Sequence, residues 1–164
     1  MKQKIYKRLN KKLPKYQGII SEFEFMKYWP VIKRWAIVNY DLKSGVELEV
    51  LLVLYSKKLF TRTELKEQLN YMSWDAGMLK RLEEKGMIQV WIKRSWGESN
   101  IYNLTHKSKK MISGIYKKML GLEPIPESPR RNRVFRENAP FHQKTLAKAI
   151  TKVNEERKRR PFLE

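Results

Sequence analysis

Hydrophobic positions recur with two different periods along this chain, and the change between them marks out its elements. From Ser21 the spacing is helical: Phe25, Trp29, Ile32 and Ala36 fall on one stripe. Ser21 stands where a cap belongs, and Glu22 and Glu24 suit the first turn. Pro30 lies inside this segment and is expected to kink the helix or divide it in two. After a break at residues 41–45, the densely apolar run 46–55 reads as a buried helix. Leu48, Leu51, Leu52 and Tyr55 would face inward, with Glu47 and Glu49 sharing the solvent side. Thr61-Arg62-Thr63-Glu64 has capping-box spacing and opens a short helix whose apolar face is Leu65 and Leu69. Ser73 opens another over residues 74–85, with Met78, Leu79 and Leu82 inward and Gly86 as its stop.

The period then becomes two. Ile88, Val90 and Ile92 alternate with Gln89, Trp91 and Lys93, and after a turn region at 93–100 a short return strand covers 101–104. Thr105 caps a further helix, which runs to about residue 120 and ends at Gly121. Three prolines within residues 122–129 forbid a helix there and predict a semi-rigid linker. Beyond Arg130 one helix is predicted over 143–157. Leu146, Ile150 and Val153 form its narrow apolar stripe, and Lys144, Lys148 and Lys152 recur every four residues on roughly the opposite face. The sequence contains no internal repeat.

Helix, helix, helix, two-stranded hairpin, helix is the element order of a winged helix-turn-helix. The predicted fold class is therefore mainly α with a small β-hairpin. A winged-helix domain at 21–121 would be flanked by a basic N-terminal arm (1–20), a Pro-rich linker (122–129) and a basic C-terminal arm (130–164).

Three stretches carry a family resemblance: LFTRTELKEQL, then LKRLEEKGMI at the end of the second short helix, then YNLTHKSKKMI leading out of the hairpin. Through them residues 46–120 resemble the MarR family of winged-helix regulators. The resemblance implies that helix 74–85 enters the DNA major groove and that the hairpin is the wing. Departures from the family pattern redirect that expectation. The outer face of helix 74–85 offers Trp74, Ala76 and Gly77, leaving Lys80 and Arg81 as its strong donors. The wing carries Gly97-Glu98-Ser99-Asn100 where the family places an Asp-x-Arg pair, with Lys93, Arg94 and Trp96 earlier in the loop. The family dimerises through its outermost helices. Here the linker would set the last helix apart, so a homodimer is compatible with the resemblance but supported by no feature of the sequence.

Charge distribution gives this frame a chemistry. The formal net charge is +19. Residues 1–18 hold seven Lys or Arg and no acid, and residues 130–164 hold eleven against four Glu. Each cation that neutralises a phosphate releases condensed counterions, a sequence-independent and salt-sensitive gain. Lysine outnumbers arginine 24 to 12, which favours point-charge contacts over bidentate base reading. The expected partner is nucleic acid, DNA ahead of RNA, bound chiefly through phosphates in transcription or genome handling. The alternative is a structural or adaptor component of a larger nucleoprotein assembly, with the winged helix docking on protein. Candidate contact residues are Arg62, Ser73, Trp74, Lys80, Arg81, Lys93, Arg94, Trp96, Arg130, Arg131, Arg133, Lys144, Lys148 and Lys152. Trp96 would either stack on an unpaired base or fold back over the hairpin.

Other classes find little material. There is no cysteine, hence no disulfide, thiolate metal site or thiol nucleophile. The two aspartates and two histidines lie in separate segments, and neither a Gly-rich phosphate loop nor an HExxH run is present. No enzymatic activity, metal or cofactor is expected. The longest apolar run, 50–55, is far too short for a bilayer, and the first residues lack a secretory apolar stretch. The expected setting is intracellular, in the cytoplasm, on the nucleoid or within a viral or nucleoprotein particle, and away from membranes.

Overall fold

A computed structural model describes residues 25–68, 77–95 and 98–159. The predicted N-terminal arm (1–20), Ser73, Trp74 and Trp96 lie outside these residues. The described chain is mainly helical with a small antiparallel sheet, consistent with a winged-helix-like fold. In chain order it forms α1 (Phe25–Asn39), α2 (Gly45–Tyr55), β1 (Phe60–Thr61), α3 (Arg62–Gln68), α4 (Met78–Glu84), β2 (Ile88–Ile92), β3 (Ile101–Leu104) and α5 (His106–Met119). A 3-10 turn at Arg133–Phe135 and α6 (Phe141–Arg159) follow.

Local sequence signals place most of these boundaries. Pro30 does not divide α1, which is one helix with the proline on its exposed side near the start. Asp41 takes a left-handed conformation (φ 56°) to end the turn after α1, and Leu42 donates its N–H back to the carbonyl of Ile37. Ser44 then caps α2. The capping box forms as predicted: Thr61 Oγ1 accepts from the Glu64 N–H, and Glu64 accepts from the Thr61 N–H at 2.8 Å. Gly86 (φ 64°) closes α4 with its N–H on Glu83 and that of Met87 on Leu82, the double bond of a Schellman motif. Gly121 (φ 71°) repeats the device after α5, where the Leu122 N–H reaches Lys117.

Among the described residues three strands are present where two were predicted. β1 adds to the hairpin, giving the order β1-β3-β2 with both pairs antiparallel. Phe60 is buried and stacks on Tyr102, its partner across β3. A bulge between Val90 and Ile92 breaks the expected alternation of β2. Ile88 is buried, but Ile92 is exposed beside Trp91.

The helix faces also need two corrections. In α2 the inward stripe is Leu48, Val50, Leu51 and Leu54, with Tyr55 outside. Glu47, expected on the solvent side, is fully buried, for reasons given below. The larger correction concerns the C-terminal segment, which is neither a linker nor a detached arm. Ile125, Val134, Leu146, Ile150 and Val153 belong to the same apolar core as Tyr28, Ile32, Trp35, Leu51 and Ile112. Each such side chain gains about 1.5–3 kcal/mol on burial, so the segment is integral to the fold. The prolines of 122–129 do forbid a helix, but they leave an extended strap. Asn154, buried on α6, pairs with both backbone groups of Ile125: its Oδ1 accepts the N–H at 2.9 Å and its Nδ2 donates to the carbonyl at 2.8 Å. α6 lies against α1, where the Tyr28 hydroxyl donates to Glu156.

Candidate nucleic-acid interface

The sheet register brings together cations from separate parts of the sequence. Thr61 and Ile92 both align with Ile101, one on each side of β3. The residues that follow them, Arg62 and Lys93, therefore emerge at the same end of the sheet. Strands lie about 4.8 Å apart, so their backbones stand roughly 10 Å apart there. Arg94 follows Lys93, and all three are exposed. Its guanidinium lies 3.3 Å from Glu98, and its N–H is held by Asn100 Oδ1 at 3.1 Å, which fixes the start of the hairpin loop.

On α4 the two predicted donors part company. Lys80 is solvent-exposed, with a loose 3.9 Å contact to Glu84. Arg81 instead turns toward the core: its Nε donates to Glu47 Oε1 at 3.0 Å. Lys85 approaches the same carboxylate at 3.4 Å, and the backbone N–H of Lys43 donates to it at 2.8 Å. Burial pushes the Glu47 carboxyl up, but those three donors outweigh it and hold the group below the ordinary carboxylate value. Glu47 is thus the buried anchor that ties the end of α4 to the start of α2. Its burial was illegible on α2 alone, since Arg81 and Lys85 lie 34 and 38 positions further on.

The C-terminal candidates form a second group, carried by elements packed on α1. Arg130, Arg131 and Arg133 are exposed on the turn before and within the 3-10 segment. Arg133 lies 3.9 Å from Asp41, and its N–H donates to Asn39 Oδ1. Lys144, Lys148 and Lys152 are exposed along α6 as the four-residue spacing requires, with a rise of about 6 Å from each to the next. Lys148 and Lys152 line an open groove of about 630 Å³ together with Phe135, Arg159, Glu155 and Glu156.

One basic cluster was not visible in the sequence. Lys107, Lys110, Lys117 and Lys118 of α5 line a pocket with Tyr40 and Glu123. They fall on one face of α5, at i, i+3, i+10 and i+11. What the sequence does not show is the facing wall, formed by Tyr40 in the turn after α1 and Glu123 beyond α5. Among the described residues no group of three or more His, Cys, Asp or Glu could hold a metal ion. No described helix is long and apolar enough to cross a membrane.

No family profile matches the chain, and no curated protein sequence does. One solved structure, described as "Structure of Disulfide formed AbfR", is similar to it over 97% of this chain and 94% of that one. The sequences are 16% identical and the TM-score is 0.46. So loose a superposition assigns neither a family nor an activity.

Proposed function

We propose that this chain is a MarR-like winged-helix protein that binds double-stranded DNA, chiefly through phosphates, in transcription or another handling of the genome. The observation that carries the reading is the convergence of Arg62, Lys93 and Arg94 at one end of the sheet, where a wing meets the backbone. Lys80 on α4 adds a cation to the same helix-and-hairpin unit. Arg81 serves Glu47, so the helix offers few donors for base edges, and binding is largely independent of sequence. The lysines of α6 and the basic residues 1–18 supply further phosphate contacts. An intracellular setting follows from this reading.

The test is duplex binding by fluorescence anisotropy across a salt series. Each neutralised phosphate contributes about 0.9 to the slope of log affinity against log salt. The triple variant Arg62→Ala/Lys93→Ala/Arg94→Ala should flatten the slope by about two to three and weaken all sequences alike. An unchanged slope would sink the assignment.

A second reading, a protein-docking component of a nucleoprotein assembly, is favoured by Trp91 and Ile92. These apolar side chains stand 58% and 46% exposed at the bulge of β2. It replaces the first if the chain fails to bind duplex at low salt and Trp91→Ser frees it from a larger native complex.

A further inference from the structure

We propose that the pocket between the end of α1 and the face of α5 binds a small molecule carrying a diphosphate. This site is separate from the interface above and does not depend on it. It is a half-open hollow of about 470 Å³, within the range of about 300–1,000 Å³ usual for small-molecule sites. Four lysines, Lys107, Lys110, Lys117 and Lys118, line it together with one carboxylate, Glu123.

Three features distinguish it from an ordinary charged helix face. First, the side chain of Lys118 is only 9% exposed, and its ammonium lies 5.3 Å from the centre of the Trp35 ring. A cation held this way is fixed in place, which lowers the entropy lost on gripping an anion. Second, the cluster already clamps an oxyanion. Glu123 takes Lys117 on Oε1 at 2.8 Å and Lys118 on Oε2 at 3.4 Å, so two ammonium groups converge on the two oxygens of one oxyanion. Lys110 has no ion pair among the described residues, and Lys107 spends one donor on the Lys85 carbonyl at 2.8 Å, so donors remain for a second oxyanion. Two adjacent phosphates match that surplus better than one carboxylate would.

Third, Gly114 lies in the middle of α5 and on the pocket wall. Glycine weakens a helix interior, and its backbone here is not left-handed. A Cβ would sit 3.7 Å from Lys118 Nζ, an ordinary contact, so the fold does not require glycine. What the missing side chain does is keep space open beside the buried ammonium. Tyr40 completes the wall with an aromatic surface for the organic part of the ligand.

The experiment is calorimetric titration of the full chain with inorganic pyrophosphate at moderate salt. One saturable site per chain is expected. Lys110→Ala/Lys117→Ala should weaken it at least tenfold. Lys58→Ala/Lys66→Ala, which removes two exposed lysines elsewhere, should leave it within twofold. Gly114→Ala should raise the melting temperature while weakening pyrophosphate several-fold, a combination that a merely structural glycine does not produce. Equal losses in both double variants would show diffuse charge attraction, and either that result or an absence of saturation would overturn the proposal. So would Gly114→Ala binding as the parent does.

Discussion

Replacing Glu47 by glutamine removes one charge while keeping the shape of the side chain, and the structure sets the size of the effect. The carboxylate is fully buried and receives Arg81, Lys85 and the Lys43 N–H. Breaking a buried pair from one side costs about 3–5 kcal/mol, since the partner charge is stranded. Here the stranded partners are 26% and 27% exposed, so both reach water, and glutamine still accepts from Lys43. The expected loss is therefore about 2–3 kcal/mol. For a chain of this size that is a fall of about 4–12 °C in melting temperature.

Acid should erase the difference. The Glu47 carboxyl is held below its ordinary value of 4.5 in the fold, so its stabilisation is complete above that value. It is lost as pH falls through the lower, folded one. Urea midpoints of parent and Glu47→Gln, compared at pH 7 and at steps below pH ~4.5, should converge. A gap under about 0.5 kcal/mol at pH 7, or one that stays constant into acid, would refute the anchoring role.

Other perturbations probe neighbouring parts of the fold. Asn154→Leu strands both backbone groups of Ile125 in the core and should cost about 2–4 kcal/mol, with faster amide exchange along the strap measured by mass spectrometry. Gly86→Ala meets no atom within 4 Å, so its cost is the left-handed backbone alone, about 1–2 kcal/mol in a denaturant titration. Thr105→Val removes the cap of α5 and a 2.8 Å bond to the Gly86 carbonyl. About 1–2 kcal/mol should be lost, and a melting temperature within about 1 °C of the parent would contradict it.

Signals that act within one turn of chain were readable from the sequence. The Thr61–Glu64 box, the Gly86 and Gly121 closures and the Leu146, Ile150, Val153 stripe all depend on neighbours a few positions away. What escaped depends on distant partners. β1 is two residues long and exists because Phe60 finds Tyr102. Glu47 looks like any surface glutamate until Arg81 and Lys85 are placed beside it. The prolines of 122–129 correctly exclude a helix, but their strap is held by Asn154, 29 positions beyond Ile125. In the candidate interface the types and exposure of Arg62, Lys80, Lys93 and Arg94 were legible, whereas their assembly at one end of the sheet required the register. The α5 pocket needed Tyr40, from the turn after α1, to become concave.

The seat of α6 on α1 has a consequence in time as well as in space. Tyr28 and Glu156, which meet across that seat, are 128 positions apart. At synthesis rates of about 5–20 residues per second, roughly 6–25 s separate their appearance from the ribosome. Throughout that interval the side of α1 around Tyr28 has no lid, and the growing chain carries a bare apolar strip beside a strongly cationic N-terminal stretch. Self-association during translation is the hazard this creates, and it ends when the last helix docks.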